Sequence, residues 1–235
     1  VIHLLFTGGT ISMVRDEQAG GNIPTHGGAE LVGYAPELAT VGPYRVEDWG
    51  RYPACHMGPE KLWELRNRVE VVARGEGAER PSGIVITHGT DTIEETAYLL
   101  ARTLDPAVPV AITGAMRTSS DAGWDGPRNL TDAALVAAAQ VSRGRGVMVV
   151  FAGKVFAGAQ VAKIEATALD AFGAPHGGPI GVVVDGRVNL QVASHSVAAP
   201  RPVELSGLTA RVALIPMVIG DQGELLDLAR PTHDG

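Results

Sequence analysis

The chain has 235 residues, 45% of them apolar and 19% charged, with a net charge of −7. That length accommodates one large domain with a sizeable core, or one domain plus part of another. The acidic balance and the lack of any basic run argue against a nucleic-acid partner, and no apolar stretch reaches membrane-spanning length before glycine or charge interrupts it, so no membrane partner is expected.

Taken in chain order, strands are predicted near residues 2–7, 44–49, 84–87, 108–113 and 147–151. Helices are predicted near 59–74, 92–104 and 128–142, with a short one near 28–38. This alternation argues for an α/β fold with a mostly parallel, doubly wound, flavodoxin-like sheet. The pattern changes after Lys163, where apolar runs at 180–184 and 187–190 flank Asp185-Gly186, a hairpin signal. Residues 191–209 are rich in Ala, Ser and Pro and read as a linker. Beyond it come a strand-like run at 210–216 and a short helix at 223–230. The expected domains are therefore 1–190, a linker at 191–209, and the start of a smaller, incomplete α/β domain at 210–235. The apolar run at 210–216 is expected to pack on another copy or on further residues.

Cys55 is the single cysteine, so no intrachain disulfide is expected, and a reducing, cytoplasmic location is favoured. Val1 to Phe6 reads as a strand with no basic region ahead of it, so no signal peptide is expected. The seven histidines show no ligand spacing, and no metal site is expected.

Two short runs carry the chemistry. Thr7-Gly8-Gly9-Thr10-Ile11 follows the first predicted strand, and Thr87-His88-Gly89-Thr90-Asp91-Thr92 follows the third. In an open α/β sheet, loops leaving the carboxyl ends of strands gather at one edge, where ligands bind. Each run then presents a hydroxyl on a turn that glycine opens to close approach. Two threonines, an aspartate and backbone N–H groups in one cleft suggest nucleophilic chemistry on a small polar molecule.

Plainer readings stand beside these. A threonine after a glycine pair often makes only a local turn bond, which is the alternative for Thr10. Thr92-Ile93-Glu94-Glu95 has the form of a capping box, so Thr92 is expected to cap the next helix. Asp91 belongs either at that helix N-terminus or in the cleft. The chain has only three lysines, Lys61, Lys154 and Lys163, against sixteen arginines. Lys163, in an apolar context, is either a snorkelling cation or a lysine that gives up its proton when desolvated. Asp125 is expected as an N-cap, with Pro127 in the first turn that follows. His88 is expected as a hydrogen-bonded core histidine.

These motifs resemble the bacterial-type L-asparaginase family. Besides the two threonine runs, Gly114-Ala115-Met116-Arg117, Asp125-Gly126-Pro127-Arg128-Asn129-Leu130 and Lys163 occur in matching order, and the resemblance covers nearly the whole chain. It implies an amidohydrolase that cleaves the side-chain amide of L-asparagine, or of L-glutamine, to the acid and ammonia. It implies Thr10 as nucleophile and Thr90, Lys163 and Asp91 as a base-activated hydroxyl triad, with Asp91 also gripping the substrate α-ammonium. Gly9, Gly89, Ala54, Cys55 and Ala115 are placed around the substrate. The resemblance implies no cofactor, a small-molecule amino-acid amide as partner, and assembly into a homodimer or homotetramer in which a neighbour completes each site.

Two positions depart from the family. Relatives carry a tyrosine on the loop after the first motif; here Asn22 stands in its place, with Thr25 the other candidate and Tyr34 too far along. Relatives also carry a serine that binds the substrate α-carboxylate; here Ala54 occupies that position. Two alternatives follow. One is a tRNA-dependent amidotransferase subunit of the same fold, against which the acidic charge speaks. The other is a catalytically degenerate relative that binds asparagine or aspartate, which Asn22 and Ala54 favour.

Overall fold

The computed structural model describes residues 1–75, 79–104, 108–191 and 205–235. They divide into two units, Val1–Glu204 and Leu205–Gly235. In the first unit the chain runs β1 (Ile2–Gly8), β2 (Met13–Asp16), β3 (Gly21–Pro24), α1 (Gly28–Gly33), α2 (Leu38–Val41), β4 (Tyr44–Tyr52), α3 (Pro59–Arg74), β5 (Gly83–Thr87), α4 (Ile93–Thr103), β6 (Val110–Thr113), α5 (Gly126–Ala138), β7 (Val147–Phe151), β8 (Lys154–Ala157), β9 (Ala162–Lys163), β10 (Phe172–Gly173), β11 (Gly181–Val184) and β12 (Arg187–Leu190).

Eight of these strands form one sheet in the order β12-β11-β8-β7-β6-β5-β1-β4. Strands β4, β1, β5, β6 and β7 are mutually parallel, and β8, β11 and β12 continue the sheet antiparallel. Counted along the chain, the parallel part has the order 2-1-3-4-5, the flavodoxin-like arrangement. The strand order reverses between β1 and β5. That reversal opens a crevice outside their carboxyl ends, so topology alone places the two threonine runs side by side.

The central strands are apolar on both faces because helices cover both. Leu5, Ile84, Ile86, Ile112 and Val149 pack on one side with Leu65 and Val69 of α3 and Ile93, Ala97 and Leu100 of α4. Leu4, Phe6, Val85, Ala111 and Val150 pack on the other with Leu31 of α1 and Leu130, Ala133 and Ala134 of α5. Successive residues of one strand thus feed opposite cores, as pleating requires.

Some expectations need correction. The helix expected at 28–38 is two helices, α1 and α2, because Pro36 has no N–H to continue the ladder. The helix expected at 128–142 starts at Gly126 and ends at Ala138, with a separate 3-10 turn at Gln140–Ser142. Hairpin β2–β3, strand β8 and the pair β9–β10 were not foreseen. Most of the expected linker, 192–204, lies outside the described residues.

The second unit contains one helix, α6 (Glu224–Ala229), and no strand among its described residues. The run 210–216, expected to be a strand, has only sparse backbone pairing: Asp234 N donates to Arg211 O at 2.7 Å and Ala213 N to Gly235 O at 2.9 Å. A strand needs a continuous ladder, and two bonds do not make one. Among the described residues no helix is long and apolar enough to cross a membrane.

Candidate active site

The two threonine runs meet at the sheet's reversal point. Thr7 Oγ1 donates to Thr87 O at 2.7 Å, and Thr7 N donates to Thr87 Oγ1 at 3.4 Å. Both residues are buried, so these bonds fix the ends of β1 and β5 against one another, each stabilising by about 1 kcal/mol. Beyond them the backbones come into contact. A β-carbon on Gly9 would lie 2.5 Å from Gly89 N, and Gly9 has φ +82°, where L side chains are rare. A β-carbon on Gly89 would lie 2.6 Å from the Ala54 methyl, so the 3-10 turn Ala54–His56 closes over the second loop.

Thr10 opens a 3-10 turn, Thr10–Ser12, at the mouth of this junction and is half-buried. The local turn bond considered for Thr10 is made by its neighbour instead: Ser12 Oγ donates to Gly9 O at 2.8 Å. Thr90 opens the matching turn, Thr90–Thr92, and is buried. Lys163, on β9, brings its ammonium to both residues that begin this turn: Nζ lies 3.1 Å from Thr90 Oγ1 and 2.5 Å from Asp91 Oδ1. Thr90, Asp91 and Lys163 are thus one hydrogen-bonded group, drawn from sequence positions more than seventy residues apart. The Asp91 carboxylate is itself exposed, open to a ligand's ammonium group.

Ala54 is buried against Gly89, and Cys55 is exposed beside it. Ala115 is fully buried and belongs to the core under α5, while Met116, the next residue, is half-exposed. Among the described residues no group of three or more His, Cys, Asp or Glu side chains is arranged to hold a metal ion.

His88, within the second threonine run, is completely buried. Its Nδ1 donates to Gly89 O at 2.9 Å, which leaves Nε2 to accept from Thr96 Oγ1 at 3.0 Å. Burial lowers the ring's pKa to about 4 and so keeps it in the neutral form that this pairing uses. His88 therefore locks Gly89 onto α4 as an uncharged strut.

Two capping expectations fail. Thr92 stands at the N-cap of α4, yet its hydroxyl donates to Ala54 O at 3.3 Å rather than capping the helix. Asp125 stands at the N-cap of α5 and makes no capping bond either. Its carboxylate accepts Met116 N and Arg117 N, each at 3.0 Å, and thereby holds the 114–117 loop. Asn129, one turn on, completes the clamp. Its Nδ2 donates to Gly114 O and to Asp125 Oδ2 at 3.0 Å, and its Oδ1 accepts Ala152 N at 3.1 Å. In both places a loop group brought by the tertiary fold outcompetes the local cap. The four-residue spacing of Asp125 and Asn129 was the available signal, and it fits helix initiation equally well.

The loop after Thr10 also has a definite course. Asn22 lies on β3 opposite Arg15, exposed. Thr25 N and His26 N both donate to Ser12 O, at 2.8 and 2.9 Å. Tyr34 meets the His26 ring edge-on at 5.3 Å and the Trp124 ring at 5.2 Å.

Known proteins resemble this chain in sequence and fold. The family described as Asparaginase, N-terminal, matches residues 1–195. A probable L-asparaginase of Deinococcus radiodurans is 36% identical over 226 residues, which cover 95% of this chain and 66% of that protein. A glutaminase-asparaginase of Pseudomonas fluorescens biotype A is 35% identical over 191 residues, covering 79% of this chain and 51% of that one. The crystal structure of a probable cytoplasmic L-asparaginase from Campylobacter jejuni superposes with a TM-score of 0.81 at 30% identity, covering 97% of this chain and 69% of that one. The chain thus spans two thirds or less of the curated relatives it matches. With this fold, these motifs and these relatives, the chain belongs to the asparaginase family.

Proposed function

We propose that the protein is an amidohydrolase that releases ammonia from the side-chain amide of L-asparagine, with L-glutamine as the second substrate to be tested. The observation that carries this reading is the Lys163 ammonium bonded to both Thr90 and Asp91 beside the Gly9–Gly89 contact. Relatives named L-asparaginase and glutaminase-asparaginase support the choice of amide.

In this reading the Thr10 hydroxyl attacks the amide carbon, and the tetrahedral oxyanion is held by backbone N–H groups of the two glycine turns. Electrostatic stabilisation of that kind is usually the largest single contribution. Transfer of the Thr10 hydroxyl proton to the leaving nitrogen lets collapse expel ammonia and leave an ester on Thr10. Water attacks the ester, and its proton passes through the hydrogen-bonded Thr90–Lys163 pair to the departing Thr10 oxygen, which releases the acid and restores the hydroxyl. Asp91 holds the substrate α-ammonium, and backbone groups near Gly89 and Ala54 hold the α-carboxylate without a serine. A cytoplasmic location and a homodimer or homotetramer belong to the same proposal. The location is supported by the name of the Campylobacter structure.

The test is ammonia release from asparagine and glutamine by the wild type and by Thr10→Ala, Thr90→Val and Lys163→Met. Each substitution is expected to lower kcat by about a hundredfold or more while aspartate still binds, because Asp91 remains. Ala54 and the exposed Asn22 favour a second reading, a relative that binds the amino acid without turning it over. A wild type that binds asparagine and releases no ammonia would establish that reading in place of the first.

A further inference from the structure

Lys163 is held at both ends by one short stretch of chain. Thr90 and Asp91 take its ammonium, and Glu94, in the first turn of α4, takes its backbone: Lys163 N donates to Glu94 Oε2 at 2.5 Å. The strand that carries Lys163 needs such a hold. β9 has two residues, pairs among the described residues only with β10, and lies outside the eight-stranded sheet. Val161 is buried at the start of this hairpin, and Phe172 of β10 packs its ring 4.8 Å from Phe151. Apolar contacts of that kind fix the hairpin to the core without setting where the Lys163 backbone stops along α4. A charge-assisted hydrogen bond is directional and short, and it sets that position.

We infer that Glu94 is the positioning residue that keeps Lys163 in register with Thr90 and Asp91. A lysine side chain has four rotatable bonds, so the ammonium stays within bonding distance of a hydroxyl only if its backbone is anchored nearby. Thr90 and Asp91 sit on the 3-10 turn that runs directly into α4, whose first turn carries Glu94, which makes them a rigid jig for a residue that arrives from a separate hairpin. The part played by Glu94 in turnover rests on the amidohydrolase reading; its part in holding Lys163 does not.

The experiment exploits the scarcity of lysine. With only Lys61, Lys154 and Lys163 in the chain, reductive methylation followed by peptide mass spectrometry reads each amine separately. The Lys163 side chain is 15% exposed, against 32% for Lys61 and 41% for Lys154, so Lys163 is expected to react most slowly in the wild type. In Glu94→Ala its methylation should accelerate about tenfold, and kcat for ammonia release should fall about tenfold to a hundredfold with KM within about twofold. Glu94→Gln keeps an oxygen acceptor in place and should restore both readings to within about threefold of the wild type. Unchanged Lys163 methylation in Glu94→Ala would overturn the inference, whatever happens to kcat. So would failure of Glu94→Gln to restore either reading. A wild type that releases no ammonia from any amide would defeat the amidohydrolase reading, while the methylation rates would still decide the role of Glu94.

Discussion

A β-carbon added to Gly9 would stand 2.5 Å from the backbone nitrogen of Gly89, so the two threonine loops touch backbone to backbone with no room for a methyl group. Gly9 also sits at φ +82° and ψ −178°, a region nearly closed to other residues, which costs an alanine about 1–3 kcal/mol before any contact is counted. Gly9→Ala should therefore strain its own turn and push Thr10 away from Thr90. Displacement on the scale of an ångström is enough to lower turnover about a hundredfold. The expected result is a lower Tm, with ammonia release reduced on that scale and far-UV circular dichroism preserved. Wild-type turnover in Gly9→Ala would contradict a tight junction between the loops.

His88 makes the junction sensitive to acid. Burial lowers its pKa to about 4, against about 6.5 for an unfolded histidine. Above pH 6.5 both states hold it neutral, and its contribution to stability is complete. Between 6.5 and 4 only the unfolded chain takes up the proton, so stability falls as pH falls, by about 3 kcal/mol across that window. Urea unfolding measured from pH 7 to pH 4 should show a steeper loss for the wild type than for His88→Gln, which has no proton to take up. Parallel pH profiles for the two proteins would assign the acid sensitivity elsewhere.

Asn129 concentrates three loop connections in one buried amide: Gly114 O, Asp125 Oδ2 and Ala152 N. Asn129→Leu keeps the number of side-chain heavy atoms in a larger side chain and leaves those groups without their partner. The expected cost is about 3 kcal/mol, and the 114–117 loop should loosen. Thermal unfolding reads the first effect. Amide exchange at Met116 and Arg117 reads the second, because their N–H groups bond to the Asp125 carboxylate that Asn129 orients. Protection at those two amides equal to the wild type would confine Asn129 to a purely local packing role.

What was legible in the sequence follows from how strongly each segment is determined by its own residues. Ile84-Val85-Ile86 is apolar on both faces, and only a strand covered by helices on both sides buries it. Pro59 to Arg74 carries Leu65, Val69 and Val72 on one stripe, and its bounds match the expected helix. Strands β9 and β10 have two residues each, too few for any periodicity, and they exist because Phe172 is buried. Hairpin β2–β3 is charged at Arg15 and Asp16 and lacks apolar alternation, so nothing local announced it. Thr92 and Asp125 occupy the N-cap positions the sequence marks. Their side chains bond elsewhere because Ala54 O and the 116–117 amides arrive through the fold. The approach of Lys163 to Thr90 and Asp91 came from the family resemblance. Spacing alone left Lys163 undecided between a snorkelling cation and a base.

The loop after Thr10 gives the last prediction, because two residues compete to replace the family's tyrosine. Asn22 lies out on hairpin β2–β3, paired with Arg15 and exposed. Thr25 is different: its N–H and that of His26 both bond to Ser12 O, two residues beyond Thr10. The fold therefore brings Thr25, rather than Asn22, alongside the nucleophile's turn. The Thr25 hydroxyl donates to Ile23 O at 3.2 Å, a local exposed bond that costs little to exchange for one to a substrate or to Thr10. Thr25→Ala should lower kcat for asparagine about tenfold to a hundredfold, with KM changed less. Asn22→Tyr should leave both within about twofold, since exposed substitutions away from a site rarely matter more. A faster enzyme on Asn22→Tyr, with Thr25→Ala silent, would mean that the hairpin folds over the site during turnover and that Asn22 holds the tyrosine's place. Brisk hydrolysis untouched by either change would remove both residues from the activation of Thr10.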